Sequence, residues 1–165
     1  MEVSRAIAKH AKCIDHVALA VPDLDKAADW YGNTLGFTVE AEKVTQGTQS
    51  NMRSRVVRAG GSTIVLCMGT TPESSVNRFI QAFGPGVQHV AILVDDIDAV
   101  VADLQREGVE FDTPIIVGAN LKQAFTHRDT ASGMVYELVQ RDEYGGFQDT
   151  NVQQLWDSLE KKNNF

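Results

Sequence analysis

The stretch "HVALAVPDLD", which starts at His16, returns 73 residues later as "HVAILVDDID", starting at His89, with six of ten positions identical. An internal repeat constrains the fold strongly, because each copy must form the same supersecondary unit and the copies must bury apolar surface together. "IDHVALAV" and "VQHVAILV" are rich in Val, Ile and Ala and predict buried strands. Asp23 and Asp96 follow each strand, where a side-chain oxygen can cap a helix. The first helix then places Leu24, Ala27, Ala28, Tyr31 and Leu35 on one face, and the second places Ile97, Val100, Val101 and Leu104 there. Gly36 and Gly108 end them, as a left-handed C-terminal position favours.

Each helix is followed by a strand-like segment, "FTVEAEKV" or "VEFDTPIIV". Two more strands come next: "MRSRVVRAG" and "STIVLCM" around Gly60-Gly61, and "NLKQAFTHRD" and "MVYELVQR" around Ser132-Gly133. Both halves therefore read βαβββ, an α+β class of two pseudo-symmetric modules whose sheets lie side by side around a cleft. An additional helix, "ESSVNRFIQAFG", joins the halves, and a last one, "NVQQLWDSLEKKN", carries the stripe Val152, Leu155, Trp156 and Leu159. The organisation expected is an N-terminal extension over 1–12 and a single domain over 13–147, with repeats at about 13–69 and 86–141. A C-terminal helix over 148–165 then closes the site.

The composition sets limits. With 165 residues, 43% of them hydrophobic, the chain can bury a substantial core. A net charge of −7 argues against nucleic acid or an anionic membrane as a partner, since both need a basic face. No apolar run approaches the ~20 residues of a membrane span, and "MEVSRAIAKHAKC" lacks the apolar core of a signal peptide. The two cysteines, Cys13 and Cys67, form no C-x-x-C and sit in apolar runs. They are expected to be buried inert thiols in a reducing cytoplasm.

The chemistry centres on the repeated histidines. Matched positions in a pseudo-symmetric pair bring His16 and His89 toward one axis. Glu137, between Tyr136 and Leu138, is an acid that is costly to bury unpaired. Two imidazoles and one carboxylate make the facial triad of non-haem Fe(II) oxygenases, in which open positions can take a 2-oxo acid and O2. The same residues also read as two core histidines and a solvated strand-edge glutamate. His127, beside two charged residues, is expected to be exposed, and His10 to face solvent ahead of the domain.

These stretches resemble the vicinal oxygen chelate superfamily, which includes glyoxalases, methylmalonyl-CoA epimerase, extradiol dioxygenases and 4-hydroxyphenylpyruvate dioxygenase. Similarity is strongest to the metal-bearing C-terminal module of the last enzyme and its sister, hydroxymandelate synthase. "IDHVALAVPDLDKAADWYGNTLGF" resembles that module's opening, "GPGVQHVAILVDDI" its G-x-G-[VI]-Q-H-[VI]-A segment, and "MVYELVQR" its L-E-[VI]-[IV]-Q-R strand. The resemblance implies Fe(II) held by His16, His89 and Glu137. "LKQAFT" resembles L-L-Q-I-F-T, which implies a substrate-orienting Gln123 and a ring-clamping Phe125. "GGFQDTNVQQLWDSLEK" resembles a G-G-F-G-x-G-N-F tail with a lid helix, which implies substrate contacts from Phe147 and Asn151.

Departures from the pattern qualify the substrate. Ser75 stands where the module has a pocket glutamine, Val152 where the tail has its second phenylalanine, and Val135 where a phenylalanine precedes the glutamate. The thinned aromatic box makes a smaller or aliphatic 2-oxo acid as good a candidate as an aromatic one. The chain carries one module where the dioxygenase has two, so homodimerisation is one way to cover the face left bare. "VDDIDAVVADLQREGVEF" is very like the second-half helix of methylmalonyl-CoA epimerase, which makes an epimerase or glyoxalase-like lyase the main alternative. Those enzymes take a further ligand from the last strand of the first half, and "STIVLCM" offers none for a hard metal. A metal-free binding protein of the same fold is the third reading.

Overall fold

The computed structural model describes residues 5–46, 51–118, 120–141, 153, 154 and 157. Its strands are β1 (Ala11–Ala20), β2 (Thr38–Val39), β3 (Lys43–Gln46), β4 (Asn51–Ala59) and β5 (Ser62–Gly69) in the first half. The second half contributes β6 (Gly86–Val94), β7 (Ile116–Val117), β8 (Lys122–Phe125) and β9 (Val135–Gln140). The α-helices are α1 (Ala6–His10), α2 (Leu24–Asp29), α3 (Ser75–Phe83) and α4 (Ile97–Arg106).

The βαβββ reading holds in both halves. The first strand of each unit pairs in parallel with the last, β1 with β5 and β6 with β9. The two half-sheets do not stay separate. β1 and β6 pair antiparallel, so the order β2-β4-β5-β1-β6-β9-β8-β7 forms one sheet, with β3 on β4.

That central pair defines a pseudo-two-fold axis. Val17 lies opposite Val90, and these two are repeat mates. Every residue of β1 near this point therefore has its counterpart on β6 at the same distance from the axis.

One face of the sheet carries α2 and α4. Asp23 and Asp96 accept the Lys26 and Ala99 backbone N–H groups, each at 3.0 Å, and start the two helices as the sequence predicts. α2 buries Leu24 and Ala28 against Val57 and Leu66, and α4 buries Ile97, Val100 and Val101 against Val94 and Leu138. Each fully buried aliphatic side chain contributes about 1.5–3 kcal/mol. α1 packs on α4 through Ile7. His10 is half-buried, not free in solvent, and its Nδ1 lies 2.6 Å from Asp95.

The opposite face carries α3, through Val76 and Phe79 on Ala20 and Met52. The Arg128 guanidinium stacks 4.6 Å from the Phe83 ring centre and 5.2 Å from that of Phe79, which ties α3 to the β8–β9 hairpin.

Four local expectations are corrected. The first α-helix stops at Asp29 and widens into a π turn over Trp30–Thr34, in which Leu35 N–H bonds to the Trp30 carbonyl. The extra residue in that turn rotates Leu35 into solvent, and Phe37 packs on Tyr31 instead. "FTVEAEKV" divides into β2 and β3, because their registers on β4 differ by one residue. "VEFDTPIIV" keeps only a bridge at Phe111 and the two residues of β7; Pro114 between them has no N–H for a ladder. Cys13 is exposed, since the first residues of β1 run past the packed core, while Cys67 is half-buried. No helix among the described residues is long and apolar enough to cross a membrane.

Candidate metal centre

The sheet register brings the three predicted ligands together. His16 lies opposite Ala91, and Ala91 lies opposite Glu137, so the three form one row across β1, β6 and β9. His89 is two residues before Ala91 and shares its face. Ala91 is fully buried in the middle, and its single methyl leaves room for longer side chains to converge above it. His16 Nε2 lies 3.0 Å from Glu137 Oε2, and His89 Nε2 lies 3.4 Å from the same oxygen. One potential ligand atom from each residue falls within 4.8 Å of the other two. Adjacent donors of an octahedral ion with ~2.1 Å bonds are about 3.0 Å apart, so the spacing suits one ion.

Two β-bulges aim the histidines. Asp15 is an extra residue in β1 and Gln88 an extra residue in β6, and the two are repeat mates. A bulge lets consecutive side chains turn to the same side. His16 Nδ1 thus donates to Asp15 Oδ2 at 2.8 Å, and His89 Nδ1 contacts Gln88 Oε1. Arg141, just beyond β9, donates to the same Asp15 oxygen.

The electrostatics follow from burial and charge. His16 and Glu137 are each 2% exposed. Burial alone would lower the His16 pKa, but Glu137 and the Asp15 hydrogen bond outweigh it and raise it to about 9. Burial would raise the Glu137 carboxyl, but His16 and His89 hold it down to about 2. His89 is lowered, chiefly by burial. Because Nδ1 of His16 carries the proton given to Asp15, its Nε2 lone pair can face Glu137 only with a second proton or a cation between them. The donor set therefore fits a divalent metal.

The remaining predicted site residues divide. Phe125 lies directly opposite Glu137 on β8, and its ring centre is 5.2 Å from that of His89. Gln123 is buried two residues away on the same face. Ser75 is buried in the first turn of α3, beside the Ser74 cap. Phe147 and Asn151 lie outside the described residues. His127 is exposed and paired with Asp112 at 2.9 Å, as expected for a surface residue. Sequence reasoning missed Asp15, Gln88, Arg141 and Ala91. The repeat carried a signal for the first two, which precede the histidines at the same offset.

The axis also defines a fourth place. Glu137 lies opposite Ala91 on β9; the mate of Ala91 is Ala18, and Ala18 lies opposite Val65 on β5. Val65 is the counterpart of Glu137, and it has no donor atom.

A family model described as "Glyoxalase/Bleomycin resistance protein/Dioxygenase superfamily" matches residues 13–138. The chain belongs to this superfamily. Among curated superfamily relatives, the mitochondrial methylmalonyl-CoA epimerase of Homo sapiens is 34% identical over 131 residues, 77% of this chain and 73% of its own. The 4-hydroxyphenylpyruvate dioxygenase of Tetrahymena thermophila is 26% identical, over 89% of this chain and 48% of its own. A solved variant of 4-hydroxymandelate synthase from Streptomyces coelicolor superposes with a TM-score of 0.80 at 26% identity, covering 93% of this chain and 55% of that one. The chain thus spans about half the length of these last two proteins. The methylmalonyl-CoA epimerase of Mycobacterium tuberculosis gives a TM-score of 0.69 at 28% identity, covering 86% and 93%. These superfamily relatives are named as epimerases, a dioxygenase and a synthase, and by sequence identity the epimerases stand nearer.

Proposed function

We propose that this chain is a metal-dependent enzyme in which His16, His89 and Glu137 hold Fe(II), and that it oxidises a 2-oxo acid with O2. The observation that carries the reading is Val65 at the fourth symmetric place. Three protein ligands leave three positions of an octahedral ion for small molecules, enough for a two-point chelate and O2. When bound, Fe(II) would supply the activation of O2 and the oxidative decarboxylation of the 2-oxo acid.

The protein's own residues do the rest. Asp15 and Gln88 fix the imidazoles with Nε2 toward the centre. Gln123 orients the substrate by hydrogen bonding. Ala18, Val56, Val65 and Phe125 share the site's face and present an apolar wall to the substrate side chain. That wall excludes water, a part that the family resemblance also assigns to Phe147 and the C-terminal segment. Ser75 and Asn151 are assigned to substrate binding.

The superfamily relatives favour a second reading, a methylmalonyl-CoA-epimerase-like isomerase with another divalent metal on the same three residues. The deciding experiment loads the protein anaerobically with Fe(II) and measures O2 uptake with aromatic and branched aliphatic 2-oxo acids, with His89→Ala as control. Uptake that depends on the acid and is lost in the variant supports the oxygenase. Metal binding without uptake, together with solvent deuterium entering methylmalonyl-CoA on the Co(II) protein, supports the epimerase. No metal binding by the wild type rejects both.

A further inference from the structure

Asp15 does more than accept a proton from His16. Its carboxylate is 5% exposed, and the Arg141 guanidinium paired with it is 4% exposed. A buried ion pair is weak as a source of stability, because desolvation of both charges offsets their attraction. This one occupies an unusual place. β1 and β9 are not neighbours, since β6 runs between them. Arg141 reaches across β6 from the strand that carries Glu137 to the bulge that carries His16. The strap exists in one half only: the first-half counterpart of Arg141 is Gly69 at the end of β5, where Ser74 and Asn77 of the α3 segment pack.

We propose that Arg141 is a positioning residue for the metal centre, acting through Asp15 to set the spacing of His16 from Glu137. This rests on the reading of His16, His89 and Glu137 as metal ligands. Without Arg141 the bulged carboxylate can swing, and the His16 imidazole turns with it. A guanidinium suits the task because its planar fork fixes direction as well as charge.

The test compares wild type, Arg141→Met, Arg141→Lys, Asp15→Asn and the double variant Asp15→Asn/Arg141→Met. Co(II) affinity, the visible Co(II) spectrum and the melting temperature of the metal-free protein are measured for each. Expected are Co(II) binding weakened roughly 10–100-fold in Arg141→Met, an altered spectrum, partial recovery in Arg141→Lys, and a double variant no weaker than the worse single one. Unchanged affinity and spectrum in a folded Arg141→Met overturn the proposal, as do fully additive losses. Should Arg141→Met fail to fold, Asp15→Asn carries the test, since it keeps the shape and removes the charge that Arg141 holds; an unchanged Co(II) spectrum there overturns the proposal equally. Failure of the wild type to bind Co(II) would reject the metal reading itself, a different result from failure of the variants to differ.

Discussion

Metal uptake should release about one proton, and the structure says which one. At neutral pH the metal-free site holds a protonated His16, a neutral His89 and an ionised Glu137, given the directions of their shifts. A metal needs the Nε2 lone pair of His16, so that proton must leave. With His16 at about 9, release at pH 8 is ~0.9 proton per metal, falling to half at pH 9. Two ordinary imidazoles near 6.5 would together release under ~0.1 at pH 8. The sign also fixes the affinity: it rises about tenfold, or ~1.4 kcal/mol, per pH unit up to about 9 and then levels off. The assay is titration of weakly buffered apoprotein with Mn(II), whose bound water does not ionise in this range, with an indicator dye as the readout. Release below ~0.2 proton at pH 8, with stoichiometric Mn(II) binding, would refute the charge assignment. The same groups set the stability of the apoprotein. The raised His16 value contributes fully below about 6.5 and is lost as pH rises through about 9; the lowered Glu137 value contributes above about 4.5 and is lost as pH falls through about 2.

Val65→Glu should add a fourth ligand, slow metal loss to a chelator and abolish O2 uptake; unchanged chelator kinetics would show that position 65 does not face the ion. Ala91→Leu puts a branched side chain between His16 and Glu137, where overpacking costs about 1–3 kcal/mol. Co(II) binding should fall far more than the melting temperature does, and a variant that still binds Co(II) normally would contradict the row geometry. Leu138→Ala, on the opposite face and fully buried, should cost about 2–5 kcal/mol in denaturant unfolding while leaving the Co(II) spectrum of the folded protein unchanged.

Elements that rest on short-range chemistry were legible in the sequence. Asp23 and Asp96 cap their helices because the capping bond spans three residues. The apolar stripe of α4 needs only the helical period, and Ile97, Val100, Val101 and Leu104 all face the core. The first helix shows the limit. The same stripe rule carried Leu35 into the core, but a single widened turn changed the phase and left it exposed. Cys13 fails for a related reason: an apolar run says that a strand forms there, not how far the strand outruns the helices that cover it.

The candidate site was legible as far as symmetry reaches. The repeat alone put His16 and His89 at one axis, and a buried acid on a last strand then had to lie near them. What it could not give was register. Ala91 pairs with both His16 and Glu137 in a stretch that two bulges bracket, and nothing in "CIDHV" or "GVQHV" announces an extra residue. The bulges turn Asp15 and Gln88 toward the histidines they precede in sequence, while the unbroken parallel registers of β1 on β5 and β6 on β9 make Val65 the counterpart of Glu137. Shifted by one, Leu66 or Ile64 would point to the other face and Val65 would not stand at the fourth place. The open side of the site is therefore a consequence of register first and of residue type second.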